Sequence, residues 1–554
     1  MAGTRRSESR VPGYSTGASV DGDAAPKNKE LVEASTTTTP DAAYPEGIKL
    51  ALLLLAVFVN MFLVALDRLV VSTAIPQITD DFHSVANIGW YGSAYLLTNS
   101  AFQLLFGKIY TFFSVKFTFL SAILLFEVGS AIYGAAPSSI AFIIGRAIAG
   151  LGSAGIMSGT LVIIVYAIPL RKRPMFQGIF GAVFGLSSII GPLLGGCLQQ
   201  RLRGGGASTS TYRSEASPWS SFYFFSTYRI EIRPSRRLRP RSRSLICSER
   251  ERSCPVSSLC CSLCSGAARS MRAWRIILLL TLSAVLLVAF VVVQILMPET
   301  ATVPPRIFVQ RSILAGFYST LCIGSQMMIF IYFLPIWFQA IQGVSAIDSG
   351  IRLLPLVLGM VVSSVVTGVL TSRIGYYTPF MIIGVCIMAV GAGTLTTLQV
   401  DTGEAKWIGY QVLFGWGLGN TFQAPNIAAQ TVLPTDDVPI GTSLMLFSQL
   451  LGGAVFTSVG QNILGTQLLE RLVGIPGFDA TFIQNEGATT ITQLPDSIKP
   501  TVISAYNEAL RRVFQVGLIM TCLTIFGALA MEWRSVKKNM AEKEKDGGVA
   551  AERR

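Results

Sequence analysis

The chain contains a series of apolar segments, each long enough to cross a lipid bilayer as a helix. About 20 apolar residues span the hydrocarbon core of a membrane. We therefore predict an all-α polytopic membrane protein whose main partner is the lipid bilayer. The twelve segments lie at residues 49–71, 88–107, 116–136, 139–166, 175–198, 275–297, 313–341, 352–372, 379–399, 407–432, 440–463 and 513–533.

Composition supports a membrane protein and argues against other classes. Only 14% of the 554 residues are charged, whereas a soluble domain normally carries about a quarter. The net charge of +13 comes from basic loops beside the apolar segments and from one Arg-rich stretch, so we predict no nucleic-acid partner. The sequence has a single His and no GxxxxGK[ST] loop for ATP. We predict that the protein is not an enzyme, has no metal or cofactor, and draws its energy from an ion gradient.

Basic residues give the orientation and the segments give the domains. Lys and Arg gather in alternate loops, which places both termini in the cytoplasm; we expect the plasma membrane, with the vacuole as the alternative, and a monomer. The predicted domains are a disordered cytoplasmic tail at 1–48, an N-terminal bundle at 49–198, an atypical segment at 199–274, a central helix and cytoplasmic loop at 275–312, a C-terminal bundle at 313–533 with an external loop at 464–512, and a cytoplasmic tail at 534–554.

Asp67 lies in the outer part of the first segment, in LDRLVVSTAIP. A carboxylate at membrane depth is costly and usually faces a cavity or a partner. We interpret Asp67 as a proton carrier, because removal from water favours its protonated form. The alternative is a carboxylate at the membrane rim that is satisfied by water or by Arg68.

Arg146 lies inside the fourth segment, in GRAIAGLG. Counted from the predicted outer ends, Arg146 and Asp67 differ in depth by about 6 Å at 1.5 Å per residue. We predict that they form a proton-sensitive pair, directly or through water; the alternative is an Arg that snorkels to the interface. Glu127 in the third segment either shares the proton or makes a polar packing contact.

Two sequence patterns that contain glycine predict a tight turn and a close contact between helices. GKIYTFFSVK at 107–116 predicts a tight turn led by Gly107, with Lys108 and Lys116 at cytoplasmic helix ends. GIFGAVFGLSSIIGPLLGG in the fifth segment predicts close helix packing and a bend at Pro192. Its glycines are Gly178, Gly181, Gly185, Gly191, Gly195 and Gly196.

These motifs together resemble the fourteen-span drug:proton antiporter branch of the major facilitator superfamily, in its fungal toxin-efflux form. GVLTSRIGYYTP and QAPNIAAQTVLP in the second half extend the resemblance; Thr111, where an acidic residue is usual, and Ser187, where the branch has Gly, depart from it. The resemblance implies two pseudo-symmetric six-helix bundles with an extra central helix pair. It implies conformational roles for Gly107, Lys108, Lys116, Gly178, Gly191, Pro192, Gly195, Gly196, Gly368, Arg373 and Gly375.

The resemblance also implies a function. It predicts alternating access and the export of small amphipathic organic molecules in exchange for protons. Amide and aromatic side chains suit such substrates, and candidates for lining the cavity are Gln326, Trp337, Gln423, Asn426 and Gln449. For each of these the alternative is packing or an interhelix hydrogen bond.

Residues 199–274 break the pattern, because they are rich in Arg, Ser and Cys and lack Lys and Asp. Their Cys spacing fits no zinc site. The family that the chain resembles has two further spans at this place. We therefore interpret the segment as a shifted reading frame or a mispredicted intron that disrupts these two expected spans. The alternative is a disordered basic loop. Two other functions stay open: proton-coupled uptake of a nutrient or siderophore, and a transport-dead membrane protein or sensor.

Overall fold

The computed structural model describes residues 47–82, 88–203, 292, 294, 296, 301–472 and 499–537. Within these ranges the structure is helical apart from short connections and one isolated β-bridge. The predicted tails, most of the 199–297 region and the central part of the 464–512 loop lie outside the described residues. The helices are α1 (Ile48–Phe82), α2 (Ile88–Phe112), α3 (Val115–Gly134), α4 (Ser139–Ala167), α5 (Arg173–Arg203), α6 (Pro305–Phe308), α7 (Arg311–Gln342), α8 (Ala346–Ile351), α9 (Leu354–Ile374), α10 (Thr378–Leu395), α11 (Glu404–Phe422), α12 (Ala424–Val432), α13 (Val438–Leu472) and α14 (Lys499–Ala530).

Many of these helices have the length and hydropathy of membrane spans. Eight stretches in the described part of the chain are long and apolar enough to cross a bilayer. Two helices, α1 and α13, reach 35 residues, about 52 Å at 1.5 Å per residue, so they exceed the roughly 30 Å hydrocarbon core. Each apolar segment from 49 to 198 and from 313 to 533 coincides with one helix or, in one case, with two.

Some helices extend beyond the limits predicted from the apolar segments, because polar residues next to a segment are also helical. Helix α14 begins at Lys499 instead of 513, so the last part of the predicted external loop belongs to the final long helix. The segment 407–432 is two helices that meet at Gln423, and Pro425 lies in the first turn of the second. Proline lacks a backbone donor and favours a helix start over a helix interior.

The predicted turn at Gly107 is wrong. Helix α2 continues through Gly107 to Phe112, and only Phe113 and Ser114 connect it to α3. The Ser114 hydroxyl accepts a hydrogen bond from the Phe117 amide and so caps α3. Gly107 therefore serves a helix contact rather than a turn.

The helices form two bundles. Helices α1 to α5 form the N-terminal bundle, whose core includes Val57, Phe119 and Ile163. Helices α7 and α9 to α14 form the C-terminal bundle, with a larger core around Phe330, Trp337 and Phe414. The bundles meet chiefly through α5 against α9 and α2 against α13. We call these contacts the α5–α9 seam and the α2–α13 seam.

The segment after α14 forms backbone hydrogen bonds with the connection between α9 and α10. Ser535 forms an antiparallel bridge with Tyr376, and the Val536 amide donates to the Gly375 carbonyl at 2.8 Å. Gly375 has a φ of 97°, a conformation that glycine adopts without steric cost. Burial raises the pKa of Tyr377 to about 12, so its hydroxyl stays protonated and donates to the Glu532 carbonyl. We call residues 531–537 the C-terminal strap.

Candidate functional site

Asp67 and Arg146 form a direct ion pair inside the N-terminal bundle. Arg146 Nη1 lies 2.8 Å from Asp67 Oδ2, and only 2% and 9% of the two side chains are exposed. Helix α1 supplies the carboxylate and α4 the guanidinium. A charge withdrawn from water is tolerable only when a partner and hydrogen bonds replace the water. This geometry fits neither alternative that the sequence left open: an Arg146 that extends to the membrane interface, or an Asp67 at the membrane rim that is satisfied by water or by Arg68.

Aromatic residues surround the ion pair. The Tyr133 hydroxyl donates to Asp67 Oδ1, the carboxylate oxygen that Arg146 does not bind. The Arg146 guanidinium lies 4.4 Å from the ring centroid of Tyr95 and 5.5 Å from that of Tyr133, within the range of cation–π attraction. Arg146 Nε donates to the Tyr91 carbonyl at 3.3 Å. Four helices, α1 to α4, thus converge on one buried charge pair.

The sequence did not reveal Tyr91, Tyr95 and Tyr133 as site residues. Tyrosine near the end of a membrane helix is common because its ring suits the membrane interface. Only the packing of α2 and α3 against α4 brings the rings of Tyr95 and Tyr133 and the Tyr91 carbonyl to Arg146. Glu127, the other predicted proton group, lies six residues before Tyr133 on α3, and its Oε1 has no hydrogen-bond partner among the described residues.

Glycines predicted from the two halves of the chain face each other in the α5–α9 seam. A Cβ added to Gly178 would lie 2.6 Å from the Ser364 carbonyl oxygen, and one added to Gly368 would lie 2.5 Å from the Pro174 carbonyl oxygen. The Ser364 hydroxyl donates to the Gly178 carbonyl at 3.2 Å. The backbones approach so closely that no side chain fits between them.

The α2–α13 seam has the same character. A Cβ on Gly107 would lie 2.7 Å from Ser443 Cβ. The Ser443 and Ser158 hydroxyls are 3.2 Å apart, and Gln103 Nε2 donates to Ser158 Oγ at 2.7 Å. A short polar chain therefore joins the two bundles beside this contact.

The other motif residues occupy varied places. Lys108 is buried near Gly107, Arg373 is exposed at the end of α9, and the Arg373 carbonyl accepts from Lys537 Nζ. Gly191 is buried in α5. Pro192, Gly195 and Gly196 belong to helix α5. Their surroundings are not among the described features, so the bend at Pro192 stays a prediction.

Four of the five predicted cavity residues form two pairs, and the fifth, Gln449, lies apart from them. Gln326 and Trp337 lie wholly inside the C-terminal bundle: Thr521 donates to Gln326 Oε1, and Trp337 Nε1 donates to Asn507 Oδ1 at 2.7 Å. Their contacts favour the alternative, interhelix hydrogen bonding. Gln423 and Asn426 lie at the break between α11 and α12, where Gln423 Nε2 and Asn426 Oδ1 have no partner among the described residues. Gln449 is half-buried on α13.

Two helical bundles that meet through glycine-lined seams, with a buried ion pair in one of them, define a multi-pass membrane transporter. The chain belongs to the major facilitator superfamily, because the model described as Major Facilitator Superfamily matches residues 57–225 and 254–457. The predicted fold class is confirmed, and as a member of a transporter family the protein is not an enzyme. The interruption at 226–253 falls inside the segment whose composition is atypical.

Relatives of similar length support this assignment, and a solved structure shares the fold. The chain is 48% identical to an MFS-type transporter of Claviceps purpurea, over 89% of this chain and 87% of that one. It is 44% identical to the MFS-type efflux pump MFS1 of Trichophyton rubrum (90% and 94%) and 42% identical to the efflux pump aflT of Aspergillus parasiticus (90% and 98%). The structure of the proton:xylose symporter XylE matches with a TM-score of 0.52 at 14% identity, covering 88% of this chain and 98% of that one, which concerns the fold alone.

Proposed function

We propose that this protein is a proton-coupled efflux transporter that exports amphipathic organic compounds such as drugs, toxins or secondary metabolites. The buried Asp67–Arg146 pair is the observation that carries the proton coupling. Two relatives with more than 40% identity are named efflux pumps, which supports the outward direction. Transport follows alternating access between the two bundles.

Protonation of Asp67 is the event that couples the proton to movement. A neutral Asp67 leaves the Arg146 guanidinium buried without a counter-charge, and breaking such a pair costs about 3–5 kcal/mol. The bundle relieves this cost by rearranging, which favours a second conformation as long as the proton is bound. Substrate release and proton release then return the pair to the arrangement described above.

The available energy is sufficient for export. One proton moved through 100 mV yields about 2.3 kcal/mol, and one pH unit adds about 1.4 kcal/mol. Together they support a gradient of a neutral substrate of roughly 500-fold for each proton.

Everted membrane vesicles with an acidic lumen test the proposal. We expect them to accumulate rhodamine 6G, an amphipathic dye, and the accumulation to fall at least tenfold in Asp67→Asn. Asp401→Asn, which changes an exposed aspartate, is the matched control and should transport normally. Gradient-free dye exchange should persist in Asp67→Asn, because only coupling is lost.

The same assay separates the alternatives. Accumulation that requires an alkaline lumen instead would indicate proton-coupled uptake. Absence of any dye movement, with normal amounts of the wild-type protein in the membrane, would indicate a transport-dead protein or sensor. Full accumulation by Asp67→Asn would refute the proposed coupling even if the protein exports the dye.

Location and orientation belong to the same proposal. Arg311 at the start of α7 contacts the end of α14, and Arg373 at the end of α9 contacts Lys537 of the C-terminal strap. Basic residues gather on the cytoplasmic side of membrane proteins, which supports a cytoplasmic position for this end of the molecule. We propose the plasma membrane with both termini inside and a monomer as the functional unit. Epitope accessibility in intact and permeabilised cells measures the orientation directly.

A further inference from the structure

The C-terminal strap gathers four cationic side chains at one end of the molecule. Lys537 Nζ donates to the Arg373 carbonyl at the end of α9, and Arg311 Nε donates at 2.8 Å to the Ala530 carbonyl at the end of α14. Arg534 lies in the strap itself, and all four cationic residues are exposed. We call Arg311, Arg373, Arg534 and Lys537 the basic patch.

Backbone contacts of the strap hold these cations in one place although they come from three helix ends. The Glu532 amide donates to Ser312 Oγ at 3.4 Å, which joins the strap to the start of α7. The Val536 amide donates to the Gly375 carbonyl at 2.8 Å, which joins the strap to the end of α9. The patch is therefore a product of the fold and not of neighbouring positions in the sequence.

The basic patch has little acidic compensation. The stretches of sequence that meet at the strap contain a single acidic residue, Glu532; they are residues 305–316, 370–380 and 526–537. Arg534 Nε lies 2.7 Å from Glu532 Oε2, and Arg534 is the one member of the patch with a carboxylate partner among the described residues. Four cations and one carboxylate leave a net charge of +3, which attracts an anion.

Exposed apolar side chains lie directly beside the basic patch. Ile374 follows Arg373 at the end of α9 and is 52% exposed. Leu314, one turn after Arg311 on α7, is 48% exposed, and Trp533 in the strap is 62% exposed. In a membrane-spanning chain such apolar side chains contact lipid tails, and tryptophan favours the level of the headgroups. The patch therefore lies where the acyl chains of the bilayer meet its phosphates.

We propose that the basic patch binds the headgroup of an acidic phospholipid. The arginine guanidinium groups and the lysine ammonium donate charge-assisted hydrogen bonds that suit phosphate oxygens. The apolar side chains beside the patch contact the acyl chains of the same lipid, which a soluble anion lacks. The site lies at one end of the C-terminal bundle and is independent of the direction of transport and of proton coupling.

Thermal unfolding of the full-length protein in dodecylmaltoside tests the proposal. We expect added phosphatidylserine to raise the melting temperature, because a lipid that binds the folded state stabilises it, and phosphatidylcholine, which has no net charge, to leave it unchanged. The double variant Arg534→Gln and Lys537→Gln should need at least tenfold more phosphatidylserine for the half-maximal shift. Each cation near a membrane surface contributes about fivefold to the binding of acidic lipid.

Arg171→Gln with Lys172→Gln is the matched control, because it removes two exposed cations from the connection between α4 and α5. Val165 near the end of α4 packs with Ile313 of α7, so the control cations lie at the same end of the molecule as the basic patch. This variant should need the wild-type amount of phosphatidylserine. An equal increase in both double variants, or an equal effect of the two lipids on the wild-type protein, would overturn the proposal.

Glycerophosphoserine, the same headgroup without acyl chains, separates a lipid from a soluble anion. At the concentration at which phosphatidylserine gives its full shift, we expect it to leave the melting temperature unchanged. A shift as large as that of the lipid would refute a lipid occupant.

Trp533 provides a second measurement that needs no change in the basic patch. Phosphatidylserine with brominated acyl chains quenches tryptophan fluorescence on contact, and the difference between the wild-type protein and Trp533→Phe isolates the quenching of Trp533. We expect half-maximal quenching at a several-fold lower mole fraction of brominated phosphatidylserine than of brominated phosphatidylcholine. Equal mole fractions would contradict a preference for acidic headgroups even if the variants of the patch fail to fold.

Discussion

At the scale of single residues, the identity of the cation matters as much as its charge. Arg146 uses one planar group for two contacts, Nη1 to Asp67 and Nε to the Tyr91 carbonyl, while the plane faces Tyr95. A lysine ammonium is a compact point charge without this fork. The ion pair therefore depends on the planar shape of the guanidinium as well as on its charge.

Arg146→Lys should therefore lose coupling although it preserves charge. We expect proton-driven dye accumulation to fall at least tenfold, since one ammonium cannot replace both contacts of the guanidinium. Arg512→Lys, at an exposed arginine of α14, is the control. Accumulation at the wild-type level in Arg146→Lys would contradict the fork geometry as the basis of coupling.

The same pair has a stability signature. Asp67→Leu leaves the buried Arg146 guanidinium without a counter-charge and should lower the free energy of unfolding by about 3 kcal/mol. Adding Arg146→Met should restore most of it, because an apolar pair of similar volume often replaces a buried ion pair at no cost. Thermal unfolding in detergent measures both variants. A double variant as unstable as the single one would show that the pair is not the cause.

A second ion pair behaves differently because it lies near water. Arg306 binds Asp437 with both terminal nitrogens, at 2.7 and 2.8 Å, and this hydrogen bond raises the pKa of Arg306 above its ordinary value. A raised pKa of a base adds stability that disappears only as the pH rises through that value, which is far above neutrality. Arg306→Gln should therefore shift the melting temperature equally at about pH 6 and pH 8.

At the scale of helices, the seams depend on backbones that touch. The sequence predicted that Gly178 and its neighbours pack closely, but the facing residue was beyond prediction because Ser364 lies 186 positions away. The misplaced turn at Gly107 has a similar cause. Glycine suits a turn and a close helix contact equally well, and only the α2–α13 seam decides between them.

Gly178→Val should force the α5–α9 seam apart. The new side chain would meet the Ser364 carbonyl at 2.6 Å, so we expect the population to shift toward a conformation with this seam open. Maleimide labelling of Ser364→Cys should rise several-fold in that background. Gly409→Val is the control, because nothing lies within 4 Å of an added Cβ there. Unchanged labelling would mean that the seam does not separate during transport.

At the scale of the whole molecule, apolar length predicted the fold because lipid permits few alternatives to a helix bundle. The charged pair was predictable from two buried charges at similar depth. The aromatic residues around the pair were not predictable. Tyr133 and Asp67 are 66 positions apart, and the sequence around one gives no indication of the other. Trp337 was proposed for a cavity on its chemistry alone, and its hydrogen bond to Asn507 depends on the packing of α7 against α14.

The atypical segment leads to a prediction about the whole chain. The family match stops at 225 and resumes at 254, while the composition changes over 199–274. We expect a sequenced transcript to encode two apolar spans there, and the protein with those spans to accumulate dye more strongly than the present sequence. A transcript that encodes the Arg-rich residues unchanged would refute the interpretation of a shifted frame or intron.

The C-terminal strap has a practical consequence for labelling the molecule. Its bridge to Tyr376 and the contact of Val536 with Gly375 make residues 531–537 part of the folded body. An affinity tag or fluorescent reporter fused at Ala530 would displace these contacts and compete with them for the α9–α10 corner. The same reporter attached after Lys537 leaves the corner intact, so the choice of fusion point decides whether the strap keeps its native contacts.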